Sequence, residues 1–286
     1  MWQSIQTQLV QDYQIRIDPD NKLKIHTNAN QQFFSVDSES GTVLLQLLQH
    51  PLLHDTDIYY KQLNHLNQYL WQPEFIGSGQ LSPHYSYSLF KPLHATQEHP
   101  STEGLFTFLN QLKNMHDRDD SGMFGFDFDF NTPFSLEKNQ WQKNWASFFS
   151  EQRIGWQLQL HAEAGRNFIS IDVLVSLIKA KLLNYQPTPS LIHGGLFQNY
   201  WLNFEQKIWF YQPSLSYGDA FLDLAALSLI PTFTGEIRDW IATESSSLRI
   251  AELFLIYQLY YVLMLGHHNK EKESEILPLI QQIIAI

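Results

Sequence analysis

The sequence contains no cysteine, which excludes disulfide bonds, thiol catalysis and cysteine-ligated zinc sites. Basic residues are scarce, because 18 Lys and Arg stand against 29 Asp and Glu, a formal net charge of −11. General nucleic-acid binding needs a basic face for phosphates, so this charge argues against it. We therefore expect no nucleic-acid partner.

Long hydrophobic runs are also missing. The most apolar segment, residues 253–265, is shorter than a membrane span and contains Gln258. Residues 1–13 are amphipathic and rich in Gln, without the basic cap and apolar run of a signal peptide. These features predict a cytoplasmic protein with no membrane contact, in which residues 253–265 form a buried helix.

Aromatic residues, by contrast, are abundant, with 20 Phe, 13 Tyr and 8 Trp among 286 residues. The hydrophobic content of 44% and the charged content of 16% are typical of a folded chain. A chain of this length buries a sizeable core and suits one large domain or two lobes.

The first ninety residues have the pattern of a small lobe, with several antiparallel strands and one helix. Turn signals at residues 28–31 and 38–41 separate strand-like runs. Asp55 is the expected N-cap of the helix, and Pro92 ends the second strand of a hairpin. The predicted elements are strands over 22–28, 32–37 and 42–49, a helix over 55–70, and hairpin strands over 74–81 and 84–93.

From residue 103 onward the apolar residues recur with a helical period. This spacing predicts helices over 103–116, 140–163, 170–185, 245–268 and 274–286, with Ser170 capping the third. A strand pair around His193 and Tyr211 is the exception, since residues 190–204 predict a strand, a tight His-Gly-Gly loop and another strand. A functional site is expected at this loop.

No intact catalytic motif accompanies the loop. Residues 117–122 resemble the start of a calcium loop, but Phe128 stands where the bidentate acid is required. Ser135 and Lys138 have a Ser-x-x-Lys spacing without its partner motifs, and His193-Gly-Gly lacks the Gly-x-Ser-x-Gly of esterases. His-Glu-x-x-His and the phosphate-binding glycine fingerprints are absent as well. A hydrolase using this loop is therefore the weakest hypothesis.

Residues 124–163 carry a long, distinctive pattern: Phe-Gly-Phe, an Asp-Asn turn, Asn-x-Trp, Trp, Phe-Phe and Arg. It is formed by Phe124–Phe126, Asp129, Asn131, Asn139–Trp141, Trp145, Phe148–Phe149 and Arg153. The pattern resembles the middle segment of the fructosamine/ketosamine-3-kinase family. The resemblance implies an α+β, protein-kinase-like fold, with a small antiparallel-sheet lobe over 1–91 and a mainly helical lobe over 92–286. It also implies transfer of the ATP γ-phosphate to a ketosamine sugar hydroxyl, with ATP and magnesium as cofactors.

The active-site motifs depart from this family. The family's catalytic loop is Leu-His-Gly-Asp-Leu-Trp-x-Gly-Asn, and here Gly195 stands at the Asp that accepts the proton of the attacking hydroxyl. Tyr200 stands at the metal-binding Asn, while Asn199 lies one position early, where a shift in the loop would bring it to the metal. Gln212 stands at the chief magnesium-ligating Asp, and a neutral amide is a poor replacement for a carboxylate.

The N-terminal lobe departs in the same way. Residues 26–36 fall where a glycine-rich loop covers the phosphates, and they contain no glycine. Gln46 aligns with the lysine that contacts ATP phosphates, and its acidic partner falls near Asp57 or Tyr59. Phe90 is the second expected nucleotide contact.

Positions that support the fold are kept. His193 and Asp223 match residues that brace the catalytic loop of kinase-like folds, and the neighbouring motif residues are also retained. These are Gly194, Pro213, Tyr217, Gly218 and Asp219.

We therefore predict a pseudokinase that binds ATP and magnesium weakly or not at all. It would retain a small-molecule ligand, a glycated amine or a sugar, or else a protein partner. The candidate ligand contacts match the family's acceptor-side segment, although each is as well explained by packing of the helical lobe: Phe124, Phe126, Trp141 and Trp145. The alternative is an active ketosamine or sugar kinase in which Asn199, Asp219 or Asp129 has taken over a lost role.

Overall fold

The computed structural model describes residues 2–28, 31–39, 41–49, 56–91, 100–117, 121–204, 206–233, 235 and 248–286. The chain forms two units, one of Met1–Leu112 and Asn199–Tyr211, the other of Lys113–Gln198 and Gln212–Ile286. The boundary between residues 91 and 92 expected from the sequence stays a prediction. The predicted helix cap at Asp55, the predicted strand end at Pro92 and residues 118–120 of the segment that resembles a calcium loop lie outside the described residues. None of the described helices is long and apolar enough to cross a membrane.

A five-stranded antiparallel sheet forms the centre of the first unit, with the strand order β1-β2-β3-β5-β4. Its strands are β1 Ile17–Thr27, β2 Gln31–Ser38, β3 Gly41–Gln49, β4 Phe75–Ser82 and β5 Tyr85–Phe90. All five predicted strands are confirmed. The central strand β3 is a nearly continuous apolar run because both of its faces are covered.

Two helices accompany this sheet, where the sequence predicted one. Helix α1, Trp2–Tyr13, buries Ile5 and Leu9 against the face that carries Val43 and Leu45. Helix α2, Thr56–Leu66, was predicted, and its Tyr60 hydroxyl lies 2.6 Å from the Ser88 hydroxyl. Because Ser88 pairs with Gln46, these polar side chains belong to the opposite face of the sheet from Leu45.

The strands on either side of the His193 loop do not pair with each other. Strand β8, Ser190–Ile192, pairs with β11, Ser216–Gly218, in the second unit. Strand β9, Trp201–Phe204, pairs with β10, Lys207–Phe210, in the first unit. The predicted strand–loop–strand is therefore correct in sequence, but it is not a hairpin.

The predicted helix over 140–163 begins five residues later and is not uniform. The Asn144 side chain accepts a hydrogen bond from the Ser147 N–H at 2.8 Å, so Asn144 is the N-cap of α4, Trp145–Phe148. A π-helical segment, Phe149–Gly155, continues the helix into α5, Trp156–Glu163. Ser170 does precede α6, Ile171–Leu182, but its side chain makes no capping hydrogen bond.

The remaining elements in the described part of the chain are helical, apart from two short strands. Helix α7, Phe221–Ser228, was not predicted. Helices α3 Thr102–His116, α8 Leu248–Leu265 and α9 Lys270–Ala285 confirm the predicted periodicity, and α8 is the expected buried helix. The two strands are β6 Phe130–Asn131 and β7 Leu136–Glu137.

Candidate functional site

The side chain of Asp223, in the first turn of α7, holds the His193–Gly195 loop. Its carboxylate oxygens accept the backbone N–H of His193 at 2.7 Å and that of Gly194 at 2.8 Å. His116 Nε2, at the end of α3, lies 2.9 Å from Oδ2 of the same carboxylate. Because Asp223 is fully buried, these three contacts replace the water that the carboxylate would otherwise bind.

The loop lies directly against the backbone of residues 212–214. Ser214 N–H donates to the His193 carbonyl oxygen at 2.8 Å. A Cβ atom on Gly195 would overlap the Gln212 carbonyl oxygen and lie 2.8 Å from its carbonyl carbon. A Cβ atom on Gly194, at φ +68°, would overlap the Ser214 carbonyl oxygen. Both positions therefore require glycine, since any side chain would strike backbone.

The structure thus places Gly195 beside Gln212, and both residues are buried. The carboxylates proposed as replacements are engaged elsewhere. Asp219 is buried, which raises its pKa, and it accepts hydrogen bonds from the Tyr257 hydroxyl at 2.6 Å and the Phe221 N–H at 3.0 Å. Asp129 accepts from Lys138 Nζ at 3.0 Å. Across the described ranges, no three His, Asp or Glu side chains are grouped so as to hold a metal ion.

Asn199 lies in the first unit and has a left-handed backbone, with φ +66°. Its carbonyl oxygen accepts hydrogen bonds from Asn28 Nδ2 at 3.3 Å and the Tyr211 hydroxyl at 2.7 Å, and His26 Nε2 lies 2.9 Å away. The Asn199 side chain is exposed. Tyr200 is buried, which raises its pKa to about 12. These hydrogen bonds hold the end of β1 against the segment that precedes β9.

The two nucleotide candidates lie in the interior of the first unit. Gln46 is fully buried, and its Nε2 donates to Gln31 Oε1 at 2.9 Å. Phe90 belongs to an aromatic cluster with Phe33, Trp209 and Tyr211, all buried. The Phe90 and Trp209 ring centroids are 5.0 Å apart, and those of Phe33 and Tyr211 are 4.6 Å apart. Protein side chains therefore occupy the surroundings of both candidates.

The four acceptor-side candidates divide into two kinds. Phe124 and Trp145 are buried with ring centroids 4.9 Å apart, and Trp145 Nε1 donates to the Tyr257 hydroxyl at 2.8 Å. Both are packing residues of the second unit. Phe126 is half-buried and contacts Phe128, whereas Trp141 is 37% exposed. Only the latter two offer surface to a ligand.

His267 lies in a second polar cluster, which is partly buried. Its ring stacks on His161 with a centroid distance of 4.0 Å, and its Nε2 lies 2.8 Å from Gln157 Oε1. Arg166 Nη2 donates to its Nδ1 at 3.2 Å. Burial, with His161 and Arg166 beside the ring, lowers the pKa of His267 to about 3, so the ring is neutral at pH 7.

Replacing His267 with Gln is expected to reduce the decrease in the free energy of unfolding between neutral and acidic pH. An unfolded histidine binds its proton near pH 6.5, whereas the folded ring binds it near pH 3. The neutral ring therefore makes its full contribution to the free energy of unfolding above pH 6.5, and this contribution is lost as the pH falls below that value. Glutamine does not titrate. Urea unfolding at pH 7 and pH 4.5 measures the slope, with the exposed His84→Gln as control. Equal slopes for His267→Gln and the parent would contradict the assignment.

The chain is similar to known proteins over nearly its whole length. The sequence model described as "Fructosamine kinase" matches residues 1–285. The chain belongs to the fructosamine kinase family. A protein of Vibrio cholerae serotype O1 named "Probable ketoamine kinase" is 34% identical over 207 residues, 69% of this chain and 68% of the relative.

Two solved structures bear on the fold. One from Haemophilus somnus 129PT, assigned to the fructosamine-3-kinases, has a TM-score of 0.80 and 28% identity, covering 99% of this chain and 97% of that one. Aminoglycoside phosphotransferase APH(4)-Ia has a TM-score of 0.66 at 14% identity, covering 100% and 99%. The expected α+β, kinase-like fold is confirmed. Kinases of such families use ATP with a divalent metal.

Sequence reasoning missed several residues of the site. The sequence predicts that His116 belongs to a helix, but it does not indicate the contact with Asp223, because nothing in a single sequence relates positions 107 apart. The aromatic cluster had a usable signal: the buried-strand composition of the segment "KIWFY", residues 207–211, which precedes Gln212. That this cluster packs around the nucleotide candidate Phe90 is seen only in the three-dimensional contacts.

Proposed function

We propose that this chain is a pseudokinase of the fructosamine kinase family, which folds as a kinase but does not transfer phosphate by the family's usual route. Its role is then to bind a small molecule of the glycated-amine or sugar class, or a protein partner. The contact between Gly195 and Gln212 carries this proposal. Because a Cβ at position 195 would overlap the Gln212 carbonyl oxygen, the loop conformation has no room for a general base there.

The residues at the metal-ligand positions do not fit magnesium. Tyr200, Gln212 and Asn199 contribute no carboxylate, and magnesium prefers carboxylate and phosphate oxygens in an octahedral shell. The nearby carboxylate of Asp223 is already used by two N–H groups and His116. No step of a reaction is therefore assigned to a metal ion here.

The nucleotide positions support the same proposal. The lysine that contacts ATP phosphates in the family is replaced by Gln46, whose amide is bound to Gln31. Phe90 is packed against Trp209. A nucleotide would have to displace buried aromatic contacts of about 0.5–1.5 kcal/mol per ring pair, in addition to the apolar area that they bury.

The size of the missing effects favours inactivity over partial activity. A positioned base contributes about 10²–10⁴ in rate, and the metal supplies the main charge stabilisation in phosphoryl transfer. The losses are not additive, yet several together remove nearly all turnover. A kinase with relocated residues is less favoured, since Asp219 already accepts a hydrogen bond from Tyr257 and Asp129 accepts one from Lys138.

Isothermal titration with millimolar Mg-ATP is expected to show no magnesium-dependent heat of binding. A phosphotransfer assay over glycated amines and free sugars is expected to give turnover equal to the enzyme-free blank. Cooperative urea unfolding of the same preparation establishes that the protein is folded. Tight, magnesium-dependent ATP binding would overturn the proposal, and turnover on the panel would establish the alternative, an active kinase.

A further inference from the structure

A pocket in the second unit lies beside the residues that directly follow Gly195. Leu196, Phe197 and Gln198 line one part of it, and residues of helices α7, α8 and α9 line the rest, together with the two residues after α7. Its volume is about 280 Å³, part of which is open to solvent. This is close to the lower limit of about 300 Å³ for ligand sites, so the pocket accommodates a small molecule only. We call it the Tyr261 pocket.

Most of the lining of the Tyr261 pocket is apolar. The apolar lining residues are Leu196, Phe197, Ala226, Leu229, Ile230 and Leu265. A sugar hydroxyl placed against them would lose its bound water without gaining a hydrogen bond, which costs free energy. The pocket therefore favours an apolar ligand body, and none of the four acceptor-side candidates described above contributes to it.

Among the described residues of the lining, only Lys272 is charged, and its charge is already paired. Lys272 Nζ donates to the two carboxylate oxygens of Glu275 at 2.8 and 3.0 Å. Gln198 is exposed and contributes a neutral amide. Burying a charged ligand group against apolar side chains without a partner is costly, so the Tyr261 pocket favours a neutral ligand.

The Tyr261 hydroxyl is the buried polar group of the lining. Tyr261 is 1% exposed, and its hydroxyl has no hydrogen-bond partner within the described part of the chain. Burial raises the pKa of this hydroxyl well above its usual value, so it keeps its proton and is a donor at pH 7. The Tyr261 ring lies edge-on to that of Phe197, with centroids 6.0 Å apart. Because an unpaired buried hydroxyl is costly, a ligand atom that accepts its hydrogen bond would be favoured.

We propose that the Tyr261 pocket binds a small neutral molecule with an apolar body and one carbonyl oxygen, which accepts a hydrogen bond from the Tyr261 hydroxyl. This binding goes beyond the pseudokinase role proposed above and does not depend on it. The ligand contacts Leu196 and Phe197, so its apolar body adds packing to the segment that follows Gly195.

Calorimetric titration with cyclohexanone tests the pocket, because this molecule combines a neutral apolar ring with one carbonyl acceptor. We expect saturable binding with a dissociation constant of about 1 mM, since a ligand of so few atoms gains little affinity. Binding should also raise the urea midpoint of unfolding. Cyclohexylamine, which is charged at pH 7, and glucose are expected not to bind at the same concentrations.

Tyr261→Phe removes the hydroxyl and keeps the ring. We expect it to bind cyclohexanone about 2–10-fold more weakly, the range for one neutral hydrogen bond. The urea midpoint of the unliganded variant is expected to equal or exceed that of the parent, because the hydroxyl has no partner to lose within the described chain. A hydroxyl with a merely structural role would give a lower midpoint instead.

Ala226→Leu enlarges a side chain of the lining and is expected to abolish cyclohexanone binding. Ala164→Leu adds the same atoms at an exposed position of the second unit and should leave the affinity unchanged. Urea unfolding establishes that each variant is folded, and Tyr261→Phe decides the test if Ala226→Leu is not. No saturable cyclohexanone binding, equal binding of glucose, unchanged affinity in Tyr261→Phe or a lower midpoint of that variant would overturn the proposal.

The result is separable from the test of the pseudokinase proposal. Magnesium-dependent ATP binding would refute that proposal and leave the cyclohexanone measurement as it stands, since neither Gly195 nor Gln212 lines the Tyr261 pocket. Absence of cyclohexanone binding would refute the pocket assignment and say nothing about ATP.

Discussion

Replacing Gly195 with aspartate, the residue that the family resemblance implies as the general base at this position, is expected to produce an unstable and inactive protein. The new Cβ would overlap the Gln212 carbonyl oxygen, and the carboxylate would enter a buried region, where loss of hydration disfavours its charge. Overpacking typically costs about 1–3 kcal/mol, and burial of the charge adds to that. We expect the free energy of unfolding to fall by at least about 3 kcal/mol.

Urea unfolding and a phosphotransfer assay measure the two halves of this expectation. Gly165→Asp is the matched control, because a Cβ there meets nothing within 4 Å. Gly165 has φ +78°, so its variant reports the cost of the substitution with left-handed strain and without a clash. A triple variant that adds Tyr200→Asn and Gln212→Asp is also expected to lack turnover. A stable Gly195→Asp protein with measurable activity would show that the loop opens readily.

The secondary structure was largely predictable, since it depends on local patterns. The strands of the first unit follow turn signals and β-rich runs, and the helices follow the 3.6-residue period. The errors have physical causes. Helix α1 is amphipathic but polar, so its apolar stripe of Ile5 and Leu9 is narrow. The start of α4 is set by the Asn144 side chain, not by hydrophobicity.

The sequence suggests candidate residues for the site, which stay a prediction, but it does not indicate the contacts that these residues make. Aligning the His-Gly-Gly loop with the family pattern shows that an acid is missing at Gly195. It does not show that Gly195 touches Gln212, 17 positions away, because that approach is set by β8 pairing with β11. The same reason explains why Phe124 and Trp145 could not be separated from Trp141 by sequence. All four acceptor-side candidates are aromatic, and burial distinguishes them only once the strands are paired.

The loop contacts of Asp223 lead to the second large expected effect. Replacing Asp223 with asparagine leaves one oxygen where two accepted hydrogen bonds, from the N–H groups of His193 and Gly194. The new amide N–H₂ would face one of these donors or His116 Nε2. Leaving a buried donor unpaired costs about 1–3 kcal/mol, and each hydrogen bond to a charged acceptor contributes about 1.5–3 kcal/mol. We expect a loss of about 3 kcal/mol or more in the free energy of unfolding.

Urea unfolding of Asp223→Asn, beside the exposed Asp172→Asn control, tests the size of this loss. The control removes a carboxylate from the first turn of α6, where a helix dipole contributes only about 0.3–1 kcal/mol. Amide hydrogen exchange gives the location, because the His193 and Gly194 N–H groups should exchange faster in Asp223→Asn. A loss no larger than the control, with unchanged exchange at both amides, would mean that the loop is held by its contact with residues 212–214 alone. The expected result instead makes the Asp223 carboxylate a structural support of the loop, which stabilises a kinase-like conformation although position 195 carries no base.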